Sequence, residues 1–160
     1  MISFQELFFS QQSDHILYNG QVVHRYLSIF VNERIDLEFR IVESSSPNTQ
    51  AIVIVFPSGF SGNVCLLGKN IPIKKSAFPK MNFWTDTAPS EFDIQISNFT
   101  GKILVCNGSD PLATKQFCKH LSAGCAMIVD KLADNKFRCL CNDHEEDDDF
   151  NDLVFEVEII

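Results

Sequence analysis

Asn142-Asp143-His144-Glu145-Glu146-Asp147-Asp148-Asp149-Phe150-Asn151-Asp152 runs directly into Leu153-Val154-Phe155-Glu156-Val157-Glu158-Ile159-Ile160. The first half carries seven carboxylates and no Lys or Arg, so its like charges repel unless they are solvated, protonated or neutralised by a cation. The second half alternates, with Leu153, Phe155, Val157 and Ile159 on one face of a strand that must pack on something. Upstream, 136–141 reads as another short strand. The acidic run is therefore a loop tied down at both ends, unlike a free acidic tail. Anchored, concentrated carboxylates suit a hard cation with oxygen ligands, and Ca²⁺ is the natural choice.

Spacing narrows the ligand set. Asp147, Asp149 and Asn151 alternate and can aim three oxygens at one point; Asp152 follows directly, and Asp143 closes the group from the other side. An EF-hand register puts Asp147, Asp149 and Asn151 at positions one, three and five and Glu158 at twelve. It then places Asp152 where a Gly is needed for the sharp turn, and the flanks alternate as strands. A β-type calcium loop fits better.

The segment Asp149-Phe150-Asn151-Asp152-Leu153-Val154 resembles the calcium loop of the small bacterial lectins that bind fucose and mannose through two calcium ions. In that family an acidic residue, then Asp-x-Asp-aromatic-Asn-Asp, supplies the metal ligands just before the last strand. The resemblance implies Asp143, Asp147, Asp149, Asn151 and Asp152 as ligands. Related acidic loops occur in other bacterial calcium-binding β-sandwich modules. Further upstream, 51–62 is similar to the first strand of those lectins and the loop after it. Where the family has an Asn ligand and small hydroxyl residues that contact sugar, this chain has Ser58, Gly59 and Phe60. It also ends in Ile160 where the family has a Gly whose carboxylate reaches a neighbouring subunit. The implied function is calcium-dependent recognition of carbohydrate, with Ser58 and Phe60 at the ligand. The alternative is a purely structural calcium in a module for assembly or protein–protein contact, a partner class that includes a second copy.

Composition sets the outer bounds. The 160 residues, 45% hydrophobic with fifteen Phe, suit one domain spanning 1–160, in which 51–160 is the lectin-like part and 1–50 adds N-terminal strands. The acidic loop supplies seven of the net −8, leaving the remainder nearly balanced. No basic cluster favours nucleic acid, and no apolar run approaches the ~18 residues of a membrane span. The N-terminus lacks a basic start and small-residue cleavage site, so the expected address is cytoplasmic, with release by a non-classical route left open.

The remaining chain reads as about ten short strands: 3–9, a hairpin of 22–31 and 35–42 joined at Asn32-Glu33-Arg34, then 51–56, 63–67, 81–84, 92–96, 102–106, 125–131, 136–141 and 153–160. Ser44-Ser45-Ser46-Pro47-Asn48 reads as a linker-like loop, and 71–79 as irregular. Asp110-Pro111 looks like a helix start, so 111–121 holds a helical turn or an irregular crossover. The expected fold is all-β: an antiparallel β-sandwich of jelly-roll or Greek-key type with at most one short helix.

No catalytic constellation emerges, and the chain is read as a non-enzyme. Cys118-Lys119-His120 sets a thiol near an imidazole only in sequence. Glu156 and Glu158 share a strand face that reads as a solvated edge rather than paired acids. Six Cys without a secretory leader read as buried thiols, and Cys139-x-Cys141 with His144 lacks the second pair a zinc site needs. His15 and His24 show no partner pattern.

Overall fold

The computed structural model describes residues 3–46, 48–66, 68–71, 79–110, 119–120, 125–143 and 149–160. It is an antiparallel β-sandwich with one short helix. The elements are α1 (Phe4–Gln11), β1 (His15–Tyr18), β2 (Gln21–His24), β3 (Leu27–Ser44), β4 (Thr49–Val55), β5 (Asn63–Leu66), β6 (Lys69–Ile71), β7 (Lys80–Trp84), β8 (Glu91–Asp110), β9 (Lys119–His120), β10 (Ala126–Ala133), β11 (Lys136–Asn142) and β12 (Leu153–Ile159).

Two long strands make the two layers. β3 and β8 pair from Leu27↔Val105 to Arg40↔Glu91, with Ile35, Leu37 and Phe39 opposite Ile96, Ile94 and Phe92. The register slips between Glu33 and Arg34, leaving Asn98 as an extra residue; Glu33 (φ 67°) and Asn98 (φ 56°) both take left-handed backbone. A bulge of this kind bends a ribbon and lets it pass from one layer to the other. Beyond it, the N-terminal half of β8 pairs with β5 and the C-terminal half with β4, while the C-terminal half of β3 pairs with β12. The full path is β1-β2-β10-β11-β12-β3-β8-β4-β7. The main core lies between the layers, where Phe83 of β7 stacks on Phe92 of β8 at 4.7 Å and Phe92 on Phe39 at 5.2 Å.

The expected hairpin of 22–31 and 35–42 is thus not formed. Asn32-Glu33-Arg34 looked like a turn, but an equally long partner strand holds both sides of it in one ribbon. For the same reason 92–96 and 102–106 are parts of one strand. Gly101 sits inside it at φ 155° because the Phe99 ring lies across its backbone: a Cβ there would stand 2.8 Å from the ring. The first fifty residues are more than an addition, since they supply β3, the strand between β12 and β8.

The expected strand at 3–9 is also corrected. Ser3 caps a helix, its hydroxyl accepting from Glu6 N–H while the Glu6 carboxylate accepts from Ser3 N–H. This reciprocal cap outweighs the strand-like run of apolar residues with Gln5 and Glu6 interspersed, and Phe4 and Phe8, four residues apart, bury one helical face. That face packs with Ile16, Val23, Ala126 and Phe150 into a second cluster. Of the proposed helical turn at 111–121, all but 119–120 lies outside the described residues; those two form β9 against β8. Most of the irregular stretch at 71–79 and Leu67 also lie outside them.

Candidate functional site

The roots of the acidic loop meet at one end of the sandwich. β11 ends at Asn142 and β12 begins at Leu153, so their pairing brings Asp143 and Asp152 together. Asp143 N–H donates to Asp152 Oδ2 at 2.9 Å, and Asp152 N–H donates to the Cys141 carbonyl at 3.1 Å. Both side chains are buried, at 1% and 3% exposure. Two carboxylates survive such burial only when donors or cations surround them.

Part of that surround comes from the segment linking β3 to β4, read from sequence as a mere linker. Asp143 Oδ2 accepts from Ser46 Oγ (2.5 Å), Asn48 Nδ2 (3.1 Å) and Gln50 Nε2 (3.3 Å). Ser45 N–H donates to the Asp152 carbonyl and Ser45 Oγ to the Asn151 carbonyl. On the opposite side, Asn107 Nδ2 donates to the Asn142 carbonyl at 2.7 Å. Sequence reasoning missed Ser46, Asn48, Gln50 and Asn107. The run of side-chain donors at 44–50 was the available signal, though nothing local said where it pointed.

These hydrogen bonds fix the two amides. Turning either one around would set its oxygen against the oxygen it now donates to. Gln50 Oε1 and Asn107 Oδ1 are therefore committed to point elsewhere, and neither has a hydrogen-bond partner among the described residues, although both residues are fully buried. Neutral amide oxygens left without donors beside buried carboxylates are chemically suited to a hard cation or an ordered water.

Past the roots, Phe150 takes φ 49°, which breaks the strand alternation. Its ring turns inward onto Phe4 at 5.6 Å, while Asp149 and Asn151 on either side remain exposed. The described ligand candidates thus form two sets, the buried Asp143 and Asp152 and the exposed Asp149 and Asn151. Asp147 lies outside the described residues, as do His144, Glu145 and Glu146. Among the described residues, no three His, Cys, Asp or Glu side chains are grouped closely enough to hold a metal ion.

Ser58 and Phe60 are not near these residues. The strand β4 passes Asp143 at Gln50 and ends at Val55, roughly 17 Å away at strand rise. Phe60 lies beyond that far end, against Phe56 (4.5 Å) and Phe99 (4.9 Å), and Ser58 is exposed in the same loop. The resemblance implied that this loop and the acidic loop share a ligand. The fold separates them, because β4 runs the length of the sandwich between the two. Phe60 instead does ordinary packing over the bulge.

The solvated-edge reading of Glu156 is corrected as well. β12 lies between β11 and β3, and Glu156 is 3% exposed on its outer face. Arg40 Nε and Nη2 donate to Oε1 at 3.1 and 2.7 Å; Arg138 Nε and Nη2 donate to Oε2 at 2.9 and 2.7 Å. Burial pushes this carboxyl up, but the hydrogen bonds and charges of the two guanidinium groups outweigh it and hold it below the usual range. Both oxygens are occupied by these forks, so Glu156 serves structure. Cys139 and Cys141 are fully buried, and burial pushes both thiols upward, which keeps them protonated. Cys65, Cys139 and Cys141 are free thiols.

Searches against protein-family models, curated proteins and solved structures gave no match for this chain. Among the described residues, no helix is long and apolar enough to cross a membrane.

Proposed function

We propose that this is a calcium-stabilised β-sandwich module, in which the acidic loop takes up Ca²⁺ through Asp143, Asp147, Asp149, Asn151 and Asp152. The ion is structural and holds the end of the sandwich in shape for a protein–protein or assembly contact. The observation that carries this reading is the pair of buried carboxylates at the loop roots, cradled by the 44–50 segment. Further support comes from the two partnerless amide oxygens nearby and from an all-oxygen donor set with no Lys or Arg between Asp143 and Asp152.

A second reading, calcium-dependent carbohydrate binding, is favoured by one observation. Asp149 and Asn151 are exposed, so an ion they held would face solvent, where a vicinal diol could complete its shell. Ser58 and Phe60 take no part in either version.

Calorimetric titration with Ca²⁺ tests the proposal. Asp149→Ala should abolish or greatly weaken binding without disturbing the buried roots, whereas Glu145→Ala and Glu146→Ala should change it little. Equal effects of all three would mean a diffuse charge cloud, and no binding to the wild type would end the calcium reading. A glycan array with calcium and with chelator separates the two versions: EDTA-sensitive spots favour the second, and blank arrays leave the structural ion.

A further inference from the structure

His15 and His24 are directly opposite each other on the β1–β2 hairpin. Opposed residues of an antiparallel pair project to the same face, and here the two imidazole centroids are 6.1 Å apart with the rings tilted by 33°. His15 Nδ1 lies 2.8 Å from Asp14 Oδ1, with Ser13 Oγ at 3.4 Å. A carboxylate at Nδ1 fixes the tautomer, placing the proton on Nδ1 and the lone pair on Nε2. Neither His15 Nε2 nor either ring nitrogen of His24 has a hydrogen-bond partner among the described residues.

We infer that His15 and His24 form a bis-imidazole site for a late first-row divalent metal, Zn²⁺ or Cu²⁺, with Asp14 as the positioning residue for His15. Two nitrogens bound to one tetrahedral ion at ~2.0–2.1 Å stand about 3.3 Å apart, which sets the ring centroids roughly 5–6 Å apart. The observed 6.1 Å is close to that span. Imidazole ligands select Zn²⁺ and Cu²⁺, whereas Ca²⁺ requires oxygen, so this site is chemically distinct from the acidic loop. With two protein ligands, the remaining positions fall to water or an exogenous ligand. Neither residue has a role in the calcium proposal, so this site is independent of it.

The test titrates Zn²⁺, and separately Cu²⁺, into the full chain held in excess Ca²⁺, with the imidazole C–H resonances followed by NMR. The expected result is one Zn²⁺ per chain and tighter Cu²⁺, with the resonances of His15 and His24 moving together under Zn²⁺ and broadening together under paramagnetic Cu²⁺. His15→Ala and His24→Ala should each weaken binding at least about tenfold, and Asp14→Asn roughly tenfold. His144→Ala, a control for metal held by the acidic loop, should change nothing. Zn²⁺ affinity unchanged in His24→Ala, shifts confined to other histidines, or no saturable binding in the millimolar range would each overturn the assignment. The wild-type resonances give the answer even where a variant fails to fold.

Discussion

Phe150→Ala asks whether the acidic loop is pinned to the N-terminal helix. The ring is 9% exposed and packs on Phe4 at 5.6 Å with a 60° tilt. Truncating a fully buried Phe costs ~3–5 kcal/mol. The cluster here has six buried members at the margin of the fold, and a loop end can partly collapse into the space. The low end, about 3 kcal/mol, is the expected loss. Alanine keeps the strain of φ 49°, so no relief offsets it. For a chain of this length the midpoint should fall by roughly 6–12 °C. Chemical denaturation of the wild type, Phe150→Ala, Phe4→Ala and the double variant gives the coupling energy, expected near ~1 kcal/mol for an aromatic pair in contact. The single variant should also bind Ca²⁺ more weakly, because Asp149 and Asn151 lose the anchor between them. A loss under about 0.5 kcal/mol with strictly additive variants would refute the pinning.

Glu156→Gln should cost about 2 kcal/mol: the range for a broken buried pair is ~3–5, discounted because Arg40 and Arg138 are half exposed and re-solvate. Because the folded carboxyl is held below its unfolded value, the clamp is fully present above the ordinary pKa of about 4.3. It is lost as pH falls through the depressed folded value, so wild type and variant should converge in acid melts; a gap constant with pH contradicts the clamp. Ser3→Ala should lower stability by about 1 kcal/mol through loss of the helix cap, measured by urea midpoint. Gly101→Ala should cost ~1–3 kcal/mol, since a Cβ there meets the Phe99 ring at a positive φ; a neutral result would mean that the ring moves freely.

The all-β class and the final strand were legible because period-two alternation is local. Leu153, Phe155 and Val157 are fully buried as the pattern requires. The helix at Phe4–Gln11 was missed although Ser3 and Glu6 spell a capping box, because an apolar run with Gln5 and Glu6 interspersed also suits a strand. Whether Asn32-Glu33-Arg34 turns or bulges depends on a partner strand some sixty residues away, so no local rule could decide it. The site divides in the same manner. The acidic loop and its anchored ends follow from charge and pattern, but the cradle does not. That Gln50 faces Asp143, or that Asn107 reaches Asn142, is settled by which strands neighbour each other across the sandwich. The likeness of 51–62 to a sugar-binding loop failed on position, since the loop lies at the wrong end of β4.

Thermal unfolding in EDTA and in millimolar Ca²⁺ tests the calcium account most directly. A ligand at one hundred times its dissociation constant adds ~2.7 kcal/mol, which for a chain of this size corresponds to a midpoint raised by roughly 5–11 °C. That rise should be absent in Asp149→Ala. Coincident wild-type melts with and without calcium would contradict the account.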